Sequence, residues 1–357
     1  MPTKLKQPTP TVPNTFPSSP RTRPTRAWTM FLTTLVLLVA SMVLAAGIGA
    51  AHYSPRDVVG ALLHRPWVGD QVVTIVWDLR LPRILMAALV GASLAAAGVA
   101  FQCLLRNDLA DPYLVGVSSG ASVGAEAVLL KHGDEWLHGV AVATAAFASA
   151  VAAMTAVYAL ARRNGRIAVT NLLLGGVIVS AFLGSISTLL LQFGNPSDSF
   201  HIINRLMCSL QDATLQQCQG VGLILLAGTA TLLGLAQSMN VFAMGEEQAA
   251  QLGVDVERFK RTLVVVGSLL TAATVAAVGI IGFVGLVVPH MARRMLGTPN
   301  HRRVIPLATV TGALLMVWAD TIARSIMPDH ELPVGVVTAF LGAPFFCYLL
   351  RKKIPTS

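Results

Sequence analysis

The chain has 357 residues, 54% hydrophobic and 12% charged, with a mean hydropathy of +0.66. Soluble domains carry about 25% charged residues. Half that density, with repeated apolar runs of about 20 residues, excludes a soluble all-α protein and marks an all-α polytopic membrane protein. A net charge of +9 would raise nucleic-acid binding in a soluble chain. Here loop topology accounts for it, so lipid is the expected surrounding and no nucleic-acid partner is expected.

Residues 1–27 form the first unit. Pro2 to Arg26 is rich in Pro, Thr and Ser and carries Lys4, Lys6, Arg21, Arg23 and Arg26. It lacks the apolar residues needed to fold and is expected to be a disordered tail. The run that follows is too long for a signal-peptide core and reads as an uncleaved first span. Residues 28–353 form the membrane domain.

Ten spans are predicted: Met30–Ala50, Pro82–Leu105, Leu114–Leu130, Gly139–Ala161, Leu172–Gln192, Val221–Ala236, Leu263–Ile281, Val284–Met295, Ile305–Ile322 and Val334–Leu350. Val284–Met295 is too short to cross a ~30 Å core at ~1.5 Å per residue. It is expected to be a broken or partly inserted helix shielded by its neighbours. Of the 26 Lys and Arg, all but Arg56, Arg65, Arg80, Arg83, Lys131, Arg205 and Arg324 fall on one side of this map, together with both termini. That side is the cytoplasm by the positive-inside rule.

The stretch from Gly91, an Ala-rich helix running into a Gly-containing break and a short second helix, is echoed from Gly267. The two copies enter from opposite sides, the pattern of an inverted repeat; chance likeness between Gly/Ala-rich helices is the other reading. Cys208 and Cys218 share one extracytoplasmic segment, where a disulfide is one option. No metal-ligand spacing, phosphate-binding loop or catalytic triad is present. Neither a metal site nor a cofactor is expected in this chain.

Arg80 and Arg83 flank Pro82 at the mouth of the second span, and Arg324 ends the ninth. All three lie on the side poor in basic residues, so topology does not explain them. They either snorkel to headgroups or present bidentate docking points to carboxylates of a soluble partner. Asp320 lies one turn before Arg324 and is expected to pair with it.

Met239–Arg261, MNVFAMGEEQAAQLGVDVERFKR, is a polar island between two spans. Gly245 breaks the chain, Glu246 and Glu247 suit a helix N-terminus, Ala249, Ala250 and Leu252 follow, and Gly253 stops the helix. Val254–Arg261 is expected to be a second short piece. Two such helices across the membrane face would make a knob for a soluble partner.

RLPR, NDLADPYLVGVSSGASVGA, MGEEQAAQLGV, GIIGFVGLVVPH, ADTIAR and ELPVGVVTAFLGAPFF occur here in the order seen in the FecCD-type permeases, which the chain resembles from Trp28 to Lys353. The resemblance implies the type II ABC importer permease fold and ten spans per chain. It implies a homodimer with the pathway on the two-fold axis, two ATPase subunits that bind ATP and Mg, and a periplasmic or lipid-anchored binding protein. It implies a metal-chelate substrate, with iron–siderophore as the default and haem or cobalamin as alternatives.

By the same resemblance Arg80, Arg83 and Arg324 dock the binding protein, and Gly245, Glu246, Glu247, Ala250, Leu252 and Gly253 couple to the ATPase. Asn107 and Leu109 form one gate; Val169 and Thr170 form a second. The family often has Asn-Pro-Leu where this chain has Asn107-Asp108-Leu109, and Val169 stands where the vitamin B12 permease has a hydroxyl residue. An ion-coupled secondary transporter is the alternative. It requires ionisable residues inside the spans, and Glu126 and Asp320, toward the outer ends, are the candidates. An intramembrane enzyme lacks paired catalytic residues.

Overall fold

The structure is a computed structural model and describes residues 24–49, 51–132, 140–163, 166–193, 210–326 and 331–353. Helix α1 covers Pro24–Gly47 and α4 Leu81–Leu104; α5 covers Val117–His132, α6 Val140–Ala161 and α7 Val169–Phe193. Helix α8 is Leu215–Gly234, α11 Val256–Val278, α12 Val284–Leu296, α13 His301–Ile326 and α14 Val334–Lys353. Each predicted span is therefore a helix. Among the described residues, seven helical stretches are long and apolar enough to cross a membrane, while α5, α12 and the apolar part of α14 are shorter. Helix α1 begins at Pro24, inside the segment expected to be a tail.

Short elements join these helices. Helices α2 (Pro55–Leu62) and α3 (Asp70–Thr74) and a π-helical turn at Ile75–Arg80 precede α4 without a hydrophobic run to announce them. Helices α9 (Ala236–Phe242) and α10 (Glu246–Gln251) fill the polar island, and a two-residue hairpin, β1 (Arg162–Arg163) with β2 (Arg166–Ile167), links α6 to α7. The expected separate helix at Val254–Arg261 does not exist. Asp255 accepts a hydrogen bond from the Arg258 amide at 3.1 Å. This N-cap starts one continuous helix that runs to Val278, because the apolar stripe of the span already begins at Phe259 and Leu263.

Helix α4 is the centre of the bundle and is packed on α11, α12, α13 and α8. Between membrane helices, burial of apolar surface gives no net drive, so close backbone approach and dispersion hold them together. Two positions show it. A Cβ on Gly98 would lie 1.9 Å from the Gly285 carbonyl oxygen, and one on Gly91 would lie 2.1 Å from that of Gly312.

The stretches from Gly91 and Gly267 both take the form of a long helix, a break and a short helix. Helix α4 is followed by a break, a 3-10 turn at Pro112–Val115, a left-handed Gly116 (φ 75°) and the short α5. Helix α11 is followed by a break, a left-handed Phe283 (φ 69°) and the short α12. The two breaks touch: Pro112 lies against Gly285, and the Tyr113 hydroxyl accepts from the Ile281 amide at 3.1 Å.

Candidate functional site

The polar island and the three arginines lie at opposite ends of the bundle. At the arginine end, Arg80 donates to the carbonyls of Ala46 and Ala51 and stacks over Tyr53, 4.9 Å from the ring centroid. Arg83 forks onto Asp320, with Nε to Oδ1 at 2.9 Å and Nη2 to Oδ1 at 2.8 Å. Its Nη1 also reaches Glu331 Oε1 at 3.0 Å. Arg324 donates to the Ala45 carbonyl and sits 3.6 Å from Asp320 Oδ2, the pairing expected of residues one turn apart.

Asp320 is 1% exposed. A carboxylate this deep is tolerated because two guanidiniums face it. The three arginines thus join the end of α1, the start of α4 and the end of α13. Burial alone would raise the Glu331 carboxyl pKa. The bonds from Arg83 and Gln211, with the charges of Arg83 and Arg324, outweigh burial and hold it below the usual carboxylate value. Spacing along the chain gave no sign of Glu331, which lies 248 residues from Arg83.

At the island end, Gly245 (φ 146°) and Gly253 (φ 83°) bracket α10, conformations in which a side chain would be strained. Ala249 is buried against the bundle while Glu247, Ala250 and Leu252 face outward. Leu252 is 64% exposed and Met244 60%, a pair of uncovered apolar side chains beside two carboxylates. Phe242 of α9 packs on Phe259 of α11 with ring centroids 5.0 Å apart, fixing the island to the span below it.

The segments predicted as gates reach the same end. Asn107 Oδ1 accepts from the Leu109 amide at 3.0 Å, and Asp108 pairs with Arg293 of α12 at 3.2 Å. Arg293 also donates to Gln102. The loop that the sequence marks as less stiff is thus tethered to α12 by an ion pair. Val169 and Thr170 open α7 directly after the hairpin, with Thr170 exposed. Cys208 lies outside the described residues. Cys218 is a buried thiol 3.4 Å from the Pro82 carbonyl. Glu126 is 1% exposed and accepts a hydrogen bond from Ser187 of α7 at 2.5 Å.

Residues 37–352 match the FecCD transport family. The chain belongs to that family. It is 43% identical over 286 residues to the cobalamin import system permease protein BtuC of Halobacterium salinarum, covering 80% of this chain and 76% of that one. It is 36% identical over 330 residues to the vitamin B12 import system permease protein BtuC of Salmonella arizonae, covering 91% and 94%. A solved structure described as an inward-facing metal-chelate type ABC transporter superposes with a TM-score of 0.80 at 28% identity, over 91% of this chain and 99% of that chain.

The FecCD chain is therefore the permease subunit of an ABC importer, which works with an ATPase and a substrate-binding protein. An ion-coupled secondary transporter is not favoured.

Proposed function

We propose that this permease imports cobalamin or a closely related corrinoid across the cytoplasmic membrane, with both termini in the cytoplasm. The observation that carries the substrate is that relatives at 43% and 36% identity are named for cobalamin and vitamin B12. It replaces iron–siderophore, the family-wide default; haem has no comparable support. Two copies form the pathway in this reading. Three cavities among the described residues have volumes of about 60, 170 and 250 Å³, below the ~300–1,000 Å³ typical of a pocket for even a drug-sized ligand. Helix α7 turns Leu174, Val177, Ile178 and Phe182 outward, an apolar face suited to line a shared passage.

The proposal gives each end a task. Two ATPase subunits, which bind ATP and Mg, seat on Glu246–Gly253 through Glu247, Ala250 and Leu252. Asn107, Leu109, Val169 and Thr170 close the passage at that end. A binding protein docks at the other end, where three guanidiniums over Asp320 and Glu331 leave one net positive charge. Arg83, with the more exposed side chain of the two that pair with Asp320, offers that charge, while Arg324 and Arg80 sit deeper and support it by holding the end of α1.

The test is uptake of labelled cyanocobalamin into vesicles containing permease, ATPase and binding protein. Uptake should stop when ATP hydrolysis is blocked, and undiminished uptake overturns the reading. If a ferric siderophore raises the ATPase rate and cobalamin does not, the substrate assignment fails alone. Glu247→Lys with Leu252→Asp should separate ATP hydrolysis from uptake.

A further inference from the structure

Lys260 lies in the second turn of α11 and is 2% exposed. A buried ammonium is tolerated only when its protons are matched. Its Nζ donates to Glu246 Oε1 of α10 at 2.5 Å and to the Ile167 carbonyl of β2 at 3.1 Å, with Glu257 Oε1 at 3.4 Å. The other Glu257 oxygen accepts from the Ile167 amide at 2.9 Å. Ile167 is therefore gripped from both sides, its carbonyl by Lys260 and its amide by Glu257. Two residues later α7 begins, with Val169 and Thr170 as its first turn.

We propose that Lys260 is the positioning residue through which displacement of the Glu246–Gly253 helix is passed to the entry of α7. The inference rests on the reading of that helix as the ATPase contact. The physical reason lies in what Lys260 forbids. If α10 moves and β2 does not, Glu246 leaves a buried charge with one fewer partner, an outcome more costly than carrying the whole group along. The packed rings of Phe242 and Phe259 keep α9 and α11 together, so the displacement is not absorbed by the helices on either side of α10. Each contact joins residues distant in sequence: Glu246 and Lys260 are 14 apart, and Ile167 and Lys260 are 93 apart.

The experiment uses the assembled complex in vesicles, with the four native cysteines replaced by alanine. A reporter, Ala168→Cys, stands at the exposed position between β2 and α7. Its rate of modification by a water-soluble maleimide is measured with and without ATP, beside ATPase rate and uptake. In the parent, ATP is expected to change the modification rate. Lys260→Met should hydrolyse ATP while the rate no longer responds and uptake falls about tenfold. Lys260→Arg, which keeps charge and donors, should restore both. A Lys260→Met complex that keeps its response and its uptake overturns the proposal.

If Lys260→Met does not assemble, Glu246→Gln removes the charge that ties Lys260 to α10, on a half-exposed side chain and with Glu247, Ala250 and Leu252 left in place. Loss of the response supports the link and an unchanged response refutes it. Glu247→Lys with Leu252→Asp separates the two readings. If that variant stays coupled, the contact surface is wrong. If it uncouples and Lys260→Met does not, only the link is wrong.

Discussion

Asp320→Ala is the sharpest perturbation of the arginine end. The carboxylate is 1% exposed and takes Arg83 Nε and Nη2 at 2.9 and 2.8 Å, with Arg324 at 3.6 Å. Removing one partner of a buried ion pair costs ~3–5 kcal/mol, because the remaining charge is stranded. Arg83 keeps Glu331 at 2.9 Å and Arg324 keeps the Ala45 carbonyl, which places this variant at the lower end of that range. Each kcal/mol moves the melting temperature by ~2–4 °C in chains of 150–250 residues. At the lower slope, which suits a longer chain, the loss is about 6 °C, read by thermal unfolding in detergent. Asp320→Ala with Arg83→Met should recover part of it, since the double variant no longer buries an Arg83 charge left with Glu331 alone. A single variant melting within ~2 °C of the parent, on the same slope, would refute the reasoning.

Gly98→Val should prevent assembly. Its Cβ would already lie 1.9 Å from the Gly285 carbonyl, beyond the ~1–3 kcal/mol of ordinary overpacking, and yield of folded protein in membranes reads it. Arg293→Met frees Asp108 from its 3.2 Å partner, so the Asn107–Leu109 loop should become more open to proteolysis and ATP-independent leak should rise. The Glu331 carboxyl is held below its ordinary value. Its stabilising contribution is therefore full above the unfolded pKa of ~4.3 and lost as pH falls through the lower folded value. The melting-temperature gap between parent and Glu331→Gln should close below about pH 4. A gap independent of pH would show that Glu331 is not held this way.

The ten helices were legible because a bilayer demands long apolar runs with satisfied backbones, and such runs stand out along a chain. Gly245 and Gly253 announced α10 for a similarly local reason. Local signals misread Val254–Arg261, where charged residues on one face hid an apolar stripe continuous with α11. Helix α2 carries a local start signal, Ser54 as N-cap with Pro55 after it, but elements of eight and five residues are shorter than the window over which a period is read. Partner identity was beyond the sequence wherever it is non-local. Lys260 reads as a solvated island residue until β2 is placed on it, and Arg83 reads as free until Glu331 is brought beside it.

The glycine seats of α4 have a mechanical consequence. Where Gly91 meets Gly312 and Gly98 meets Gly285, backbone rests on backbone, and sliding by a fraction of a turn drives a carbonyl into a main chain. Close-packed contacts of this kind have discrete stable arrangements and do not deform smoothly. Helix α4, with α12 and α13 seated on it, is the keel of the subunit. Helix α7 has 17% of its apolar window buried inside the chain and is an outer plank, held to the bundle through α5 and α6. A stroke that opens the passage is therefore expected to move outer helices such as α7 against a keel that stays still.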